Sequence, residues 1–243
     1  MGRIVPRLRF DDVRWVEETD STNTRLLEDA RAGVPEGRVL VADHQTAGRG
    51  RLGRRWEAPP GSALLVSVLL RPDVALGRAH LVTMAAGLAA SDACEAVAGA
   101  RPGLKWPNDL VVGDAKLAGL LAESVVEGDA LRAVVVGMGL NVTAAPAEGA
   151  TALADHATRP VDRRTLLDAW LERLDARLDA LDGVLADYRP RCATLGREVR
   201  VERPDGDVTG RAVDVTDAGH LVVEAGGRRI DLAVGDVVHV RPA

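Results

Sequence analysis

Residues 48–56, with the sequence GRGRLGRRW, contain four arginines and three glycines. Glycine lets a backbone approach a ligand closely, and a guanidinium donates paired hydrogen bonds to phosphate or carboxylate oxygens. The segment is not a Walker A loop, because no Gly-Lys-Ser/Thr follows, and its glycine spacing does not fit a dinucleotide fingerprint. The composition predicts a loop that binds a small anion. A solvated basic hairpin or an RNA-binding patch would contain the same residue types.

A second candidate segment is formed by residues 105–109 (KWPND) and residues 116–123 (KLAGLLAE). Proline lacks an amide donor and restricts the residue before it, so KWPND predicts an ordered turn rather than a helix or a central strand. Ordered turns often carry functional side chains. Taken one by one, Asn-Asp is ordinary turn chemistry and Lys116 could be an exposed lysine on a strand, so both interpretations stay open at this point.

Two shorter segments complete the set. Residues 137–141 (GMGLN) place two glycines at the end of an apolar run, where bare backbone would accommodate a flat or extended ligand, although a β-bulge gives the same pattern. Residues 21–23 (STN) precede a helical stretch and would cap it. The amides at a helix N-terminus can also bind polar ligand atoms, so this cap is a further candidate site.

The elements that must position these segments follow from the apolar pattern. Residues 38–43, 63–70 and 134–142 are rich in Val and Leu and predict buried strands of one sheet. Helical spacing predicts helices from the STN cap to near Gly33, over residues 78–98 and, with an amphipathic pattern, over residues 161–181. After residue 190, short alternating segments at residues 198–202, 210–215, 220–224 and 237–240 predict a small β-barrel.

Composition narrows the function classes. The chain has 243 residues, 47% of them hydrophobic, which suffices for a main domain with a small appendage. Its formal charge of −5 argues against a surface that binds nucleic acid or anionic membrane everywhere. Two cysteines without a CxxC motif and no histidine cluster argue against a zinc site. We find no apolar run long enough to span a bilayer and no secretory signal, so we expect a cytoplasmic protein.

Five motifs in a fixed order, D-S-T-N, Q-x-x-G-R-G-R-x-G-R-x-W, K-W-P-N-D, K-L-A-G-x-L-x-E and G-x-G-x-N, together resemble the biotin protein ligase family over most of residues 17–142. The resemblance implies an α+β fold: a class II synthetase-like mixed sheet of the biotin–lipoate ligase type with flanking helices, plus a small C-terminal SH3-like β-barrel. It implies a catalytic biotin- and ATP-binding domain over residues 1–190 and a C-terminal domain over residues 191–243.

The resemblance also implies roles for individual residues. Those implied to bind biotin are Ser21, Thr22, Asn23, Gln45, Arg49, Gly50, Arg51, Lys116, Gly119, Gly137 and Gly139. Those implied to bind ATP are Arg49, Arg51, Arg54, Trp56, Asn108, Lys116 and Asn141. Lys116, Arg51 and Asp109 are the implied catalytic residues. Lys116 would reach the biotin carboxylate and the α-phosphate, and Asp109 would orient or deprotonate the incoming lysine.

The implied reaction suits these residue types. Biotin's carboxylate attacks the α-phosphate of ATP to give biotinoyl-AMP, and a lysine of a biotin carboxyl carrier protein then displaces AMP. Two anions must meet in the first step, which requires fixed positive charge from arginine, lysine and Mg²⁺. No protein nucleophile is needed, in keeping with the missing Ser/His/Asp constellation.

Two alternatives and one exclusion complete the interpretation. A lipoate or octanoate ligase shares the fold class, but its lysine and arginine-glycine motifs are absent. A nonenzymatic nucleic-acid or protein-binding module would use the basic loop and the SH3-like domain, but global acidity and the missing aromatic platform argue against it. Some family members carry a DNA-binding helix-turn-helix domain; here the STN turn starts at residue 21, so we expect no DNA binding. We also expect a monomer or a homodimer.

Overall fold

The computed structural model describes residues 9–203, 205–233 and 235–240. Within these ranges the chain forms a seven-stranded mixed sheet, a five-stranded antiparallel sheet and four α-helices. The predicted α+β class is confirmed.

The large sheet carries all five motifs. Its strands are β1 (Asp12–Thr19), β2 (Arg38–Gln45), β3 (Ala63–Leu70), β4 (Gly103–Lys105), β5 (Asp109–Val112), β6 (Ala115–Glu127) and β7 (Ala130–Asn141). They lie in the order β1-β2-β3-β7-β6-β5-β4, and only the β1–β2 pair is parallel among the described strands. The predicted strands in β2, β3 and β7 are confirmed. Strands β1, β4, β5 and β6 were not predicted, because their partly exposed faces interrupt the apolar runs.

The helices are α1 (Thr22–Arg31), α2 (His80–Ala98), α3 (Arg163–Leu178) and the short α4 (Val184–Tyr188). The three predicted helices are confirmed as α1, α2 and α3. Ser21 caps α1, since its side chain accepts a hydrogen bond from the Thr24 amide at 3.4 Å. The cap fixes where α1 begins, directly after β1.

The two faces of the large sheet are covered by different helices. Leu26 and Leu27 of α1 pack on one face against Leu40 and Leu69, whereas α2 and α3 cover the opposite face. Central strand β3 is therefore buried on both sides along its whole length. This explains why its sequence is almost continuously apolar rather than alternating.

Helix α2 corrects one expectation from the sequence. The stretch Leu76–Ala98 is long and apolar enough, by length and composition, to cross a membrane, with a mean hydropathy of 1.3. We had expected that no apolar run reaches this length. In the structure 72% of the apolar 18-residue window within this stretch is buried, and the helix packs against the sheet and α3, as is typical of a core helix.

The C-terminal sheet contains β8 (Glu198–Glu202), β9 (Val208–Val215), β10 (Leu221–Ala225), β11 (Arg228–Leu232) and β12 (Asp236–His239), in the order β11-β10-β9-β8-β12. Four of these strands were predicted. The fifth, β11, was missed because its sequence RRIDL carries charged residues at three of five positions. The antiparallel sheet is confirmed, and its closure into an SH3-like barrel stays a prediction.

Both sheets contribute to one continuous hydrophobic core. At their junction the Trp106 indole N–H donates to the Gly219 carbonyl at 2.9 Å, and the Ala193 amide donates to the Leu104 carbonyl at 2.7 Å. The C-terminal sheet is therefore packed directly behind the KWPND turn.

Helix α3 is anchored by Trp170, which is fully buried and whose indole N–H donates to the Ala86 carbonyl of α2 at 3.1 Å. We expect Trp170→Ala to lower the free energy of unfolding by about 3–5 kcal/mol, because it leaves a large cavity and removes the hydrogen bond to the Ala86 carbonyl. Chemical denaturation measures the change. Glu172→Ala on the exposed face of α3 is the control, and an equal loss in both variants would contradict this role for Trp170.

Candidate active site

The Gly/Arg loop, residues 48–56, is a compact hairpin that follows β2. The Gly50 amide donates to the Arg54 carbonyl at 2.7 Å, and the Trp56 amide donates to the Gly48 carbonyl at 3.0 Å. At its tip Leu52 is 68% exposed and has a positive φ of 56°. The loop thus has a defined shape that presents its arginines to neighbouring elements.

Two loop arginines form ion pairs with carboxylates from other strands. Arg49 Nη2 lies 2.6 Å from Glu123 Oε2 on β6, and Arg54 pairs with Asp236 at the start of β12. The loop is therefore held against the large sheet on one side and against the C-terminal sheet on the other.

Arg51 differs from these two. Its Nη1 donates to Asn108 Oδ1 at 3.1 Å and contacts the Gly235 carbonyl at 3.5 Å, but no carboxylate among the described residues lies within ion-pair distance. Burial lowers the pKa of Arg51 below its ordinary value, yet arginine stays protonated at neutral pH. A desolvated cation with no carboxylate at ion-pair distance is unfavourable, so this position favours an anionic ligand.

The KWPND segment forms the predicted ordered turn between β4 and β5. The Leu120 amide donates to the Asn108 carbonyl at 2.8 Å, and the Asn108 side-chain amide donates back to the Leu120 carbonyl. Its Oδ1 is the acceptor for Arg51. The turn therefore links the Gly/Arg loop to β6.

Lys116 and Asp109 lie on adjacent strands β6 and β5. Lys116 Nζ is 2.7 Å from Asp109 Oδ1, and it lies 5.7 Å from the centroid of the Trp56 ring. The lysine was predicted to meet anionic ligand groups, and here its counter-ion is Asp109. The aspartate's predicted role toward an incoming lysine stays a prediction, since in this structure its carboxylate is paired with Lys116.

Residues Ser21, Thr22, Asn23 and Gln45 form a polar wall. Gln45 Oε1 accepts from the Thr22 amide at 2.8 Å. The Asn23 side-chain amide donates to Glu123 Oε2 at 2.9 Å and to the Leu121 carbonyl at 3.1 Å. The STN turn thus caps α1 and also lines a small cavity.

Glycines 137 and 139 line the predicted site and have a further role that was not predicted. We expected bare backbone for a flat ligand, but the space beside Gly137 is filled by Asn23 Oδ1 and the space beside Gly139 by the Trp56 indole. A side chain at either glycine would overlap these groups. The two glycines therefore make room for two predicted site residues.

Almost all predicted site residues line one cavity of about 110 Å³. Those that line it are Ser21, Thr22, Asn23, Gln45, Arg49, Gly50, Arg51, Arg54, Trp56, Asn108, Asp109, Lys116, Gly119, Gly137 and Gly139. Asn141 lies outside it, in an adjoining cavity of about 430 Å³ that Trp56 and Lys116 also line. The polar wall and the two cations Arg51 and Lys116 therefore belong to one site, with a second chamber beside it.

Two polar atoms near Lys116 lack partners. Trp56 Nε1 and Asn141 Oδ1 are buried and have no hydrogen-bond partner among the described residues. Buried polar groups are nearly always paired, so an unpaired donor and an unpaired acceptor indicate a place where a ligand completes the bonding.

Three residues at the site were missed from the sequence. Ser67 of β3 contacts Thr22 and Asn23, and its signal was a lone hydroxyl in the apolar run ALLVSVLL. Glu123 ends the KLAGLLAE motif and joins Arg49 to Asn23. Asp236 had no local signal, because it reaches the loop from the other sheet.

The C-terminal sheet also supports the KWPND turn through His239. Its Nδ1 lies 2.7 Å from Arg197 Nη1 and its Nε2 lies 3.3 Å from Thr194 Oγ1, which accepts from the Trp106 amide at 3.1 Å. Burial, reinforced by the charges of Lys105 and Arg197, lowers the pKa of His239 to about 4. The imidazole is therefore neutral at physiological pH, and its Nδ1 accepts a hydrogen bond from the Arg197 guanidinium.

Comparison with known proteins assigns the family. The Biotin/lipoate A/B protein ligase family matches residues 15–141, and the Biotin protein ligase C terminal domain matches residues 194–240. The biotin–acetyl-CoA-carboxylase ligase of Mycobacterium tuberculosis is 44% identical over 239 residues, covering 93% of this chain and 88% of that protein. The chain belongs to the biotin/lipoate A/B protein ligase family. The resemblance inferred from the ordered motifs is confirmed.

A solved structure and a further sequence relative support this assignment to the family. A biotin protein ligase from Aquifex aeolicus, solved in complex with biotin and ATP, superposes with a TM-score of 0.80 at 30% identity and covers 96% of this chain and 100% of that one. The bifunctional ligase/repressor BirA of Escherichia coli is 31% identical over 93% of this chain and 73% of its own length.

The neutral state of His239 predicts an acid-dependent stability. The pKa is about 4 in the folded protein and near its ordinary value of 6.5 in the unfolded chain, so between these values the unfolded chain binds more protons. We expect the free energy of unfolding to fall as the pH drops from 6.5 to 4, by at most about 1.4 kcal/mol per pH unit for this group.

The variant His239→Gln keeps a donor and an acceptor but does not titrate. Denaturant unfolding of both proteins across this pH range isolates the contribution of His239 from that of the carboxylates. Parallel pH profiles for the two proteins would refute a neutral, depressed imidazole.

Proposed function

We propose that this ligase-family chain is a biotin protein ligase, which activates biotin with ATP as biotinoyl-5′-AMP and transfers the biotinoyl group to a lysine of a biotin carboxyl carrier protein. The observation that carries this proposal is the single cavity that combines the polar wall with the cations Arg51 and Lys116. Biotin has the same polarity, with a ureido head at one end and a carboxylate at the other.

Adenylation follows from this charge arrangement. The biotin carboxylate and the α-phosphate repel each other, and Arg51 and Lys116 offset that repulsion when both anions are bound. Lys116 exchanges Asp109 for the ligand anions, and Arg51 gains the counter-ion that it lacks among the described residues. Both cations also stabilise the additional negative charge that develops on the α-phosphate oxygens in the transition state.

The adjoining chamber suits the nucleotide. Trp56 provides a flat aromatic surface, and the unpaired Trp56 Nε1 and Asn141 Oδ1 supply one donor and one acceptor for a base or ribose. Lys116 lines both cavities, so an α-phosphate at the boundary between them would meet the biotin carboxylate there. The implied ATP residues Arg49, Arg54 and Asn108 line the first cavity but not the adjoining chamber.

The Gly/Arg loop must shift to admit the ligand. The cavity of about 110 Å³ is smaller than the roughly 300–1,000 Å³ of ordinary ligand pockets. The ion pairs of Arg49 and Arg54 with carboxylates are partly exposed, so breaking them costs little. An opened loop that closes again over biotinoyl-AMP would protect the mixed anhydride from water.

The proposed Mg²⁺ would enter with ATP. Among the described residues, no group of three His, Cys, Asp or Glu side chains is arranged to hold a metal ion. Mg²⁺ commonly binds through substrate phosphates and its own waters, with few protein ligands, and the site has Asp109 as a neighbouring carboxylate. The ion would supply further positive charge at the phosphates.

Transfer requires no protein nucleophile. The acceptor amine attacks the carbonyl carbon of the mixed anhydride and AMP leaves. Asp109, once released from Lys116, is the proposed group that orients that amine. Both cysteines, Cys94 and Cys192, are buried, and burial raises the pKa of each thiol, so neither is suited to the reaction.

The polar wall favours biotin over the nearest enzymatic alternative. Lipoate and octanoate also carry a carboxylate, but their dithiolane or alkyl ends cannot bond to the wall and would leave its polar atoms unpaired. The nucleic-acid module is disfavoured, because Arg49 and Arg54 are paired with carboxylates rather than free on a basic surface.

Finer features of the chain stay predictions of the sequence. We propose a domain boundary near residues 190–195, supported by the C-terminal domain match that starts at residue 194, and closure of the C-terminal sheet into an SH3-like barrel. The cytoplasmic location, the absence of DNA binding and the monomeric or homodimeric state also stay predictions.

Exchange of labelled pyrophosphate into ATP tests the proposed adenylation. We expect exchange when the purified chain receives Mg²⁺, ATP and biotin, without any carrier protein, because biotinoyl-AMP formation is reversible. Lipoate and octanoate in place of biotin serve as controls and should give none. Exchange with lipoate but not with biotin would replace the proposed substrate, and exchange with none of the three would refute the adenylation reaction.

Lys116→Ala should lower biotin-dependent exchange by at least about a hundredfold, because removing one preorganised charge that contacts the transition state costs about 3–4 kcal/mol. The melting temperature should change little, since Lys116 is partly exposed. Arg101→Ala removes an exposed cation paired with Glu95 outside the site and is the matched control. Normal exchange in Lys116→Ala would remove this lysine from the mechanism.

A further inference from the structure

We propose that Ser67 is a positioning residue that determines which hydrogen-bonding groups the polar wall offers, and so selects a ligand head that carries N–H donors. The proposal rests on the proposed function, since the ligand considered is biotin. Ser67 is not among the residues that line the cavity; it lies behind the wall.

The position of Ser67 is set by the alternation of β3. Along this strand Leu64, Val66 and Val68 face the core under α2 and α3, so Ser67 points to the opposite face, toward α1. It is fully buried. A buried hydroxyl in an apolar strand is unfavourable unless it is hydrogen-bonded, and Ser67 has two partners in the polar wall.

The orientation of the Asn23 amide is fixed by its neighbours. Its Nδ2 lies 2.9 Å from the Glu123 carboxylate and 3.1 Å from the Leu121 carbonyl, both of which can only accept. The reversed amide would place oxygen against oxygen at both contacts. Asn23 Oδ1 therefore faces Ser67, whose Oγ is 2.6 Å away.

The hydroxyl protons of Ser67 and Thr22 determine whether Thr22 offers a donor or an acceptor to the cavity. Asn23 Oδ1 can only accept, so the single proton of Ser67 is donated to it. The oxygen of Ser67 also lies 2.7 Å from Thr22 Oγ1, and Thr22 Oγ1 lies 3.1 Å from Gln45 Oε1. Two hydroxyl oxygens 2.7 Å apart need a proton between them, so the Thr22 hydroxyl donates to Ser67 rather than to the more distant Gln45, and its proton stays inside the wall. The cavity receives an oxygen lone pair from Thr22.

A lone pair at this position selects for a donor. The ureido ring of biotin has two N–H groups, and one of them can donate to Thr22 Oγ1. A dithiolane or an alkyl chain has no N–H and would leave this acceptor unpaired. Ser67 acts here by engaging the hydroxyl of Thr22 and the carbonyl of Asn23, without touching the ligand.

The variant Ser67→Ala tests the proposal. It leaves the buried Asn23 Oδ1 without its donor and releases the Thr22 hydroxyl to rotate. We expect the Kd for biotin, and for desthiobiotin with the same ureido ring, to rise on the order of tenfold, which corresponds to about 1.4 kcal/mol. The Kd for ATP should stay unchanged, because the nucleotide chamber is lined by other residues. Calorimetric titration of the full chain measures all three constants.

Ser91→Ala is the matched control. Ser91 is likewise a fully buried serine, and its hydroxyl donates to the Pro102 carbonyl at 2.6 Å, outside the site. It should bind biotin as the wild type does. Unchanged biotin affinity in Ser67→Ala would overturn the proposal. Equal weakening of biotin and ATP, or the same biotin loss in Ser91→Ala, would also overturn it by showing general loosening.

A second variant covers the case in which Ser67→Ala does not fold. Ser67→Cys keeps a side chain of similar shape with a weaker donor, so we expect a smaller but measurable rise in the Kd for biotin. Wild-type affinity in this variant would overturn the role of Ser67. A wild-type chain that binds no biotin would instead refute the proposed function, and this is measured before any variant.

Discussion

The site depends on holding positive charge in a partly buried cavity. Arg51 is desolvated and has no carboxylate partner among the described residues, while Lys116 is balanced by Asp109. A buried positive charge is unfavourable unless neighbouring groups hold the cation in place and an anion pairs with it. The Gly/Arg loop, the KWPND turn and strand β6 provide that support.

The support comes from both sheets. Arg54 is tied to Asp236 of β12, and the turn that carries Asn108 is held from behind by the chain from His239 through Thr194 to the Trp106 amide. The C-terminal sheet therefore belongs to the architecture of the site, although the cavity-lining residues other than Asp236 lie within residues 21–139. The C-terminal sheet thus helps to hold the Gly/Arg loop and the KWPND turn in place.

Hydrogen-bond direction is the complementary constraint at the other end of the cavity. Asn23 is oriented by Glu123 and Leu121, and its carbonyl in turn engages Ser67. Glu123 also holds Arg49, so one carboxylate connects the polar wall to the Gly/Arg loop. Glu123 thereby links the Arg49 side chain of the loop to the Asn23 amide of the wall.

The sequence by itself determined the strands with continuous apolar runs, the three long helices and the motif residues, because burial on both faces and helical spacing leave local patterns. Lys116, Arg51 and the STN turn were identified from their chemical types and order. Only the tertiary structure decided that Trp56 and Asn23 pack beside Gly139 and Gly137, that Asp109 pairs with Lys116, and that Ser67 and Asp236 take part. Each of these depends on contacts between segments far apart in the chain, which no local pattern records.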